Sequence, residues 1–186
     1  MIYKKIEGEK VYFTPLSTDS VCKITKWAND PENACSLGNY WLNFTENIEK
    51  EIISKKCNDS STYKFEIHEM NSDEFIGVCD LHNVSFKDGY AEIGYNIGDV
   101  DFRNKGYGSE AIKLLCDYAF NILNMKNLVM TIYDFNESSL RCAEKNKFQV
   151  VGRIKNRYYC MGKYNDMLYY QLTKENFDKH FNSIYK

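Results

Sequence analysis

The chain has 186 residues, which is enough for one domain with a sizeable buried core. Hydrophobic residues make up 44% of it and aromatic residues 15%, a composition that excludes a disordered chain. The formal net charge of −2 excludes a bulk electrostatic attraction to nucleic acid or to an anionic membrane. No segment approaches the roughly 18 consecutive apolar residues of a membrane span. We therefore expect a single domain over residues 1–186 that binds neither nucleic acid nor membrane.

The seven cysteines are odd in number, widely spaced and never arranged as C-x-x-C. Disulfide frameworks and zinc sites both favour closer, paired spacing. We therefore expect seven reduced thiols in a cytoplasmic protein. The three histidines are scattered along the chain, so we expect no metal site.

The first half of the chain alternates between segments with helical and strand periodicity. Clusters of Asn, Asp, Ser and Pro separate them, because these residues favour caps and turns. The predicted elements are a strand over 11–16, a helix capped by Thr18-Asp19 that ends near 29–31, a turn-like segment over 32–41, a helix capped by Asn43 or Thr45 that ends at 58–61, and strands over 63–68 and 74–84.

The stretch from Ala91 to Ile97 alternates apolar and polar positions, which is typical of a strand with one buried side. Short turns at 71–73 and 87–89 connect it to the two strands before it. Strands joined by such short turns pair antiparallel. We therefore predict a three-stranded antiparallel meander that ends at Ile97.

The stretch from Arg103 to Ala111 reads R-N-K-G-Y-G-S-E-A, and a helix with an apolar stripe over 111–123 follows it. Gly106 and Gly108 lack Cβ atoms, so an anion can approach their backbone. The first N–H groups of the helix point at such an anion, and the helix dipole favours its charge. Because Arg103 and Lys105 add positive charge, we interpret the loop as a pyrophosphate site. The alternative is a tight strand-to-helix turn that happens to contain two glycines.

The rest of the chain returns to a mixture of strands and helices. The predicted elements are a buried strand over 128–133, a helix over 136–145, strands over 148–154 and 164–172 around a turn at 161–162, and a closing helix over 174–184. We therefore predict one α+β domain, a mostly antiparallel central sheet flanked by helices.

These motifs resemble the GCN5-related N-acetyltransferase (GNAT) family. Residues 103–108 match its acetyl-coenzyme A loop, R/Q-x-x-G-x-G/A, and A-E-I-G-Y-N-I before the loop is similar to its fourth strand. N-E-S-S-L-R-C-A-E-K-N-K-F at 136–148 resembles N-x-x-A-I-x-x-Y-E-K-x-G-F of the family. The segment over 152–167 resembles the ribosomal-protein and polyamine acetyltransferase branches. The resemblance implies the GNAT fold, with a sheet splayed at the cofactor site.

The resemblance also implies acetyl transfer from acetyl-coenzyme A to a primary amine, by direct attack in a ternary complex. The acceptor would be a small-molecule amine, a polyamine or a protein N-terminus; a homodimer is left open. Asn96 and Ile97 would pair with the pantetheine amides like an added strand. Asn136 and Ser139 would lie beside pantetheine and the thiol. The backbone that would bind pyrophosphate belongs to Arg103, Asn104, Lys105, Gly106, Tyr107, Gly108 and Ser109.

Three positions depart from the family pattern. The tyrosine that usually protonates the leaving thiolate falls on Ala143, and the loop over 98–102 is slightly longer than usual. The glycine before Phe148 is Lys147, so Asn146 would have to supply the left-handed turn.

Three residues are candidates for the chemistry. Glu92 is the leading candidate for the base that takes the ammonium proton, and its alternative is a solvated strand carboxylate. In the ribosomal-protein branch a serine matching Ser139 is assigned as the acid; its alternative is a helix cap. The glutamate assigned there as the base falls on Tyr158, which can line the acceptor cleft or belong to the core. Further candidates for the cleft wall are Trp27, Tyr40 and Trp41, with core packing favoured for Trp27.

Two other functions fit parts of the sequence. A non-catalytic acyl-coenzyme A sensor is suggested by Ala143, because the usual acid is missing. A dinucleotide-binding oxidoreductase is suggested by G-Y-G-S-E-A, which fits G-x-G-x-x-A, and by Asp134 after the next strand. The antiparallel strands before the loop argue against the oxidoreductase.

Overall fold

A computed structural model of the chain describes residues 3–58 and 63–185. One sheet runs through it in the order β1-β2-β3-β4-β5-β6-β8-β7. The strands are β1 (Ile6–Glu7), β2 (Val11–Pro15), β3 (Tyr63–Glu69), β4 (Phe75–Ser85), β5 (Tyr90–Ile97), β6 (Asn127–Tyr133), β7 (Gln149–Cys160) and β8 (Lys163–Thr173). The helices are α1 (Val21–Asn29), α2 (Pro31–Ser36), α3 (Glu46–Cys57), α4 (Tyr107–Asn121), α5 (Glu137–Lys145) and α6 (Lys174–His180). Of the helices in these ranges, none is long and apolar enough to cross a membrane.

Every pair of neighbouring strands is antiparallel except β5 and β6, which are parallel because α4 connects them across the sheet. This confirms the predicted α+β domain with a mostly antiparallel sheet. It also rules out the doubly wound parallel sheet on which the oxidoreductase alternative depends.

The core lies between α4 and the face of the sheet that it covers. Ala111, Ile112 and Leu115 of α4 are fully buried, as is Ala91 on β5. Their spacing of three and four residues is the stripe predicted from the sequence, and it lies against the apolar side of the alternating strand. This packing fixes where α4 begins, and therefore where the loop before it lies.

The sheet opens between its two parallel strands. Pairing between β5 and β6 covers only Tyr90–Glu92 with Asn127–Val129. Beyond Glu92, β5 stays paired with β4 as far as Ile97, whereas β6 stays paired with β8 as far as Tyr133. Each strand keeps its outer neighbour while the two separate from each other. The result is a V-shaped opening with Glu92 at its apex, as the predicted splay requires.

Two predicted helical boundaries are wrong, and the strand predicted over 148–154 runs as far as Cys160. The segment over 32–41 was expected to be turn-like, but α2 occupies its first part. Pro31 stands at the first helical position, where its missing N–H costs nothing, and the Asp30 carboxylate accepts from the Asn33 N–H. The closing helix α6 ends at His180 rather than at 184. Of the turn predicted at 58–61, only residue 58 is among the described residues.

Cys35 of α2 and Cys160 of β7 form a disulfide, with Cα atoms 6.3 Å apart. The expectation of seven reduced thiols is therefore wrong for this pair. The two residues are 125 positions apart in sequence, so no local spacing pattern identifies them. Cys22, Cys57, Cys79, Cys116 and Cys142 are free thiols.

The left-handed residue after α5 is Lys147, with a φ of 66°, and not Asn146, which has a φ of −86°. Asn146 is buried instead, and its side-chain amide donates to the carbonyl oxygens of Ser109 at 3.0 Å and Cys142 at 2.9 Å. The amide therefore ties α5 to the first turn of α4. Lys147 therefore carries backbone strain that a glycine, which lacks a Cβ atom, would not have in this conformation.

We predict that Lys147→Gly stabilises the protein. Relief of the left-handed strain outweighs the added entropy of the unfolded chain by about 0.5–1 kcal/mol, which corresponds to a melting temperature roughly 1–4 °C higher. Glu144→Gly, at an exposed position inside α5, is the control, and it should lower the melting temperature. Thermal melts followed by circular dichroism measure both. An unchanged or lower melting temperature for Lys147→Gly would contradict the account of this turn.

Candidate active site

The loop before α4 presents backbone N–H groups to the open end of the V. Asn104 and Gly106 adopt left-handed conformations, with φ values of 59° and 91°. Gly106 is the N-cap of α4, and no side chain caps this end of the helix. The first N–H groups of a helix lack intrahelical partners, so they remain available to an anion. The loop thus has the geometry expected of a pyrophosphate site.

The positive charge beside this loop is arranged differently from the prediction. Arg103 was expected to face the anion, but its guanidinium donates to the carbonyl oxygens of Ile97 at 3.0 Å and Gly98 at 3.1 Å. It lies 3.7 Å from the carboxylate of Glu32 on α2. Arg103 therefore holds the end of β5 and links it to α2, because these carbonyls need a donor where the strand stops.

A cation that the sequence reasoning missed, Lys10, lies at the loop instead. Its ammonium group donates to the Lys105 carbonyl at 3.2 Å. The Glu110 carboxylate accepts from the N–H groups of Glu9 and Lys10, both at 2.7 Å, so α4 itself positions this turn. The separation of 95 residues between Lys10 and Lys105 explains why no motif revealed the contact.

Below the loop, the Tyr95 ring extends from β5 past α4 towards α5. A Cβ atom added at Gly108 would lie 3.0 Å from this ring, so Gly108 leaves room for the phenol as well as for a ligand. The Tyr95 hydroxyl donates to Ser139 Oγ at 3.1 Å. Burial raises the pKa of the phenol strongly, and the neighbouring Cys142 raises it further. The phenol therefore stays protonated and keeps its hydrogen bond to Ser139.

Ser139 lies in the first turn of α5, and the N-cap of this helix is Asn136. The Asn136 side chain accepts from the Ser139 N–H at 3.2 Å and from the Ser138 hydroxyl at 3.0 Å. The alternative interpretation of Ser139 as the helix cap is therefore wrong. Because Tyr95 donates to Ser139 Oγ, the proton of Ser139 is free to point elsewhere. Ala143, one turn further on, is fully buried.

Glu92 lies at the apex of the V, on the sheet face opposite the α4 core. Its Oε1 accepts from the Tyr90 hydroxyl at 2.9 Å and from the Asn83 amide at 3.0 Å. Burial and the bond to Glu92 raise the pKa of Tyr90 to about 12, so this donor keeps its proton. The carboxylate is thus held in one orientation, unlike a freely solvated strand carboxylate.

Two residues of β4, Asp80 and His82, line the same face and were not predicted. His82 is the cross-strand partner of Glu92, and Asp80 is the partner of Gly94. The His82 Nε2 lies 3.4 Å from Glu92 Oε2, and its Nδ1 lies 3.7 Å from Asp80 Oδ2. A side chain at Gly94 would overlap the Asp80 carboxylate. The antiparallel register around the turn at 87–89 places these residues together. Because that turn is visible in the sequence, it could have indicated that Asp80 and His82 lie beside Glu92.

Tyr158 lies on β7, on the β6–β8 side of the V, and packs against aromatic residues rather than against Glu92 or Ser139. Its ring stacks on Tyr133 of β6 with centroids 4.4 Å apart, and Trp41 packs on it at 5.8 Å. Its hydroxyl accepts from the Tyr40 N–H at 3.3 Å. Tyr158 is buried, beside the Cys35–Cys160 disulfide. Tyr158 thus belongs to an aromatic cluster with Tyr133 and the exposed Trp41, and the role of these residues as a cleft wall stays a prediction.

Trp27 belongs to the core, as favoured from the sequence. It is buried and packs on Phe75 with ring centroids 4.9 Å apart. A side chain at Gly98 would overlap its indole, so Trp27 supports the end of β5 from the α1 side.

Two residues at the end of β5 were predicted to contact pantetheine. Asn96 lies on the same face as Glu92, whereas the Ile97 side chain lies 3.5 Å from the position that a Cβ atom on Gly108 would take.

The described residues fit acetyl-coenzyme A. The uncapped first turn of α4 and Lys10 suit its phosphates, and the V between β5 and β6 offers an unpaired strand edge for its amides. The thioester would then lie towards the apex, between Ser139 on one side of the sheet and Glu92 on the other.

Comparison with known proteins places the chain in a family. The model of the acetyltransferase (GNAT) domain matches residues 10–149. The uncharacterized N-acetyltransferase p20 of Bacillus licheniformis is 27% identical over 170 residues, which cover 83% of this chain and 95% of p20. The spermidine N(1)-acetyltransferase of Escherichia coli K12 is 24% identical over 148 residues, which cover 77% of each chain.

A solved structure shows the same fold. The spermidine N-acetyltransferase of Vibrio cholerae, in complex with CoA and spermine, superposes with a TM-score of 0.82 at 17% sequence identity. The alignment covers 91% of this chain and 99% of that one. The sensor alternative is not favoured by these relatives. The chain belongs to the GNAT family, as an acetyl-coenzyme A-dependent N-acetyltransferase that acts on amines.

Proposed function

We propose that the chain acetylates a primary amine in a ternary complex, with Glu92 as the base, Ser139 as the acid and the loop over 103–109 as the pyrophosphate site. The observation that carries this proposal is the V between β5 and β6, with Glu92 at its apex and the uncapped start of α4 at its open end. The acceptor is a small-molecule amine, a polyamine or a protein N-terminus. The cytoplasm stays the proposed location: five cysteines are free thiols, although Cys35 and Cys160 form a disulfide.

Glu92 is suited to take the proton of an incoming ammonium group. Tyr90 and Asn83 occupy its Oε1, so its Oε2 is the oxygen that accepts the proton, directly or through water. Asp80 adds negative charge on the same face and favours a cationic acceptor. Acetyl-coenzyme A, when bound, supplies the thioester, whose carbonyl a backbone N–H at the opened edge of β5 can polarise.

Ser139 is suited to protonate the thiolate that leaves. The Tyr95 phenol donates to Ser139 Oγ and leaves the serine proton free, while the start of α5 favours negative charge nearby. A coenzyme A thiol is acidic enough to leave as a thiolate, so this acid is helpful but dispensable. The two catalytic groups therefore contribute unequally.

An amine panel with detection of the released thiol tests the proposed function, and Glu92→Gln tests the base. Wild-type protein should release free coenzyme A with at least one of a polyamine, a peptide with a free amino terminus and a small primary amine.

Glu92→Gln preserves the shape of the side chain but cannot take the proton. The variant should therefore be about a hundredfold to ten-thousandfold slower, with an unchanged affinity for acetyl-coenzyme A. Glu175→Gln on α6 is the control. Wild-type rates in Glu92→Gln would return Glu92 to a structural role.

The prediction for the loop compares two glycines that adopt similar left-handed conformations. Gly106 has a φ of 91° and Gly162, at the turn between β7 and β8, has a φ of 81°. Alanine at either position costs about 1–2 kcal/mol in the left-handed conformation, but only Gly106 sets the direction of the first N–H groups of α4. By calorimetry, Gly106→Ala should bind acetyl-coenzyme A about tenfold more weakly. Gly162→Ala should bind normally. Equal affinities would remove the loop from the site.

A further prediction concerns Ala143, which stands where the family usually has a tyrosine. Ser139→Ala should slow the reaction by no more than about a hundredfold, and Ala143→Tyr added to it should not restore the rate. Ala143 is fully buried, so a phenol grown from this position has no space except that of its neighbours or of the cofactor. Single-turnover rates of the two variants measure this. A gain of turnover in the double variant would show that the missing acid limits the enzyme.

A further inference from the structure

The imidazole of His82 lies between two carboxylates on the acceptor face of the sheet. Its Nε2 is 3.4 Å from Glu92 Oε2, and its Nδ1 is 3.7 Å from Asp80 Oδ2. His82 is the cross-strand partner of Glu92, and Asp80 lies two residues before His82 on β4, so the rigid sheet fixes their order. His82 is the only one of the three that is well exposed, with 45% of its side chain accessible, compared with 26% for Asp80 and 25% for Glu92.

The two oxygens of Glu92 face different partners. Oε1 is bound by the Tyr90 hydroxyl and the Asn83 amide, which are neutral donors. Oε2 faces His82, which is a group that can receive a proton. A proton taken up by Glu92 therefore has one titratable neighbour to which it can move, and that neighbour reaches solvent.

We propose that His82 is a positioning and relay residue, which accepts the proton from Glu92 and passes it to solvent so that Glu92 returns to its basic form. This inference rests on the proposed acetyltransferase function. The N–H bond of the ammonium breaks as an O–H bond forms on Glu92. That O–H bond then breaks as an N–H bond forms on His82 Nε2, and the resulting imidazolium releases the proton from the ring to water. The relay requires neutral His82, with its Nδ1–H towards Asp80.

The charges around the relay determine the pH at which it works. The Asp80 carboxylate, more than the opposing effect of burial, raises the pKa of His82, and Glu92 raises it further. Lys64 of β3 is the cross-strand partner of Asp80, Lys56 of α3 also interacts electrostatically with Asp80, and Glu49 of α3 interacts with Lys56. Burial raises the pKa of Asp80, but His82 and these lysines together hold it below its usual range. Asp80 therefore stays charged while His82 titrates.

The sign of the pH dependence follows from this arrangement. His82 is protonated below its raised pKa, and the relay is then blocked. The acidic limb of the kcat profile should therefore lie above the ordinary histidine value of about 6.5. Asp80→Asn removes the carboxylate that raises the pKa and leaves Lys64 and Lys56 uncompensated. It should move the limb to lower pH by about one unit.

The test is the pH profile of kcat at saturating amine and acetyl-coenzyme A, for the wild type, Asp80→Asn, His82→Ala and the control His180→Ala on α6. His82→Ala should lower the plateau by about tenfold or more, and added imidazole should restore part of the rate because the vacated position is open to solvent. His180→Ala should match the wild type. A residue that only packs against Glu92 would give neither rescue nor a shifted limb.

The outcomes separate this inference from the proposed function. If the wild type acetylates no amine, the proposed function fails and the relay with it. If the wild type is active but Asp80→Asn leaves the limb unmoved, the relay alone is overturned. If Asp80→Asn does not fold, imidazole rescue of His82→Ala decides: partial rescue supports the relay, and its absence overturns it.

Discussion

The separation of β5 from β6 after Glu92 is the constraint on which the rest of the structure depends. Two parallel strands that begin paired must lose their mutual hydrogen bonds as they diverge, and the exposed groups then need another partner. Each strand is held on its outer side, β5 by β4 and β6 by β8, so the opening does not collapse. Arg103 satisfies the carbonyls at the far end of β5. What remains between the strands is an edge of backbone that a bound peptide-like chain can pair with.

In the proposed function, the V separates the two proton transfers onto opposite faces of one sheet. Side chains alternate across a strand, so neighbouring residues of β5 point to different sides. Tyr95 points to the α4 side and binds Ser139, the proposed acid, whereas Glu92, the proposed base, points to the opposite side. Because Tyr95 and Glu92 both come from the same short strand, their positions relative to each other are set by the backbone and not by flexible loops.

Three features that the sequence did not predict are contacts between different elements of the fold. Asn146 does not adopt the left-handed turn, and its amide instead joins α5 to the first turn of α4. Ala143 lacks a phenol, and a phenol from β5 lies beside Ser139. The cleft wall is joined across 125 residues by the Cys35–Cys160 disulfide, next to Tyr158. In each case the contact joins segments that are distant in sequence.

The sequence by itself determined most of the elements and the loop, although it missed β1 and α2. Alternation over 91–97, the apolar stripe over 111–123 and two glycines between them are local patterns, and local patterns follow from the periods of strand and helix. It also singled out Glu92 and Ser139 as candidates, because both lie beside recognisable motifs, and their catalytic roles stay predictions. Only the tertiary structure decided the partners of these residues: Lys10 at the loop, Tyr95 at Ser139, His82 and Asp80 at Glu92, and Cys35 with Cys160. Such contacts depend on strand order and register, which are set by packing of the whole sheet, and no single segment encodes them.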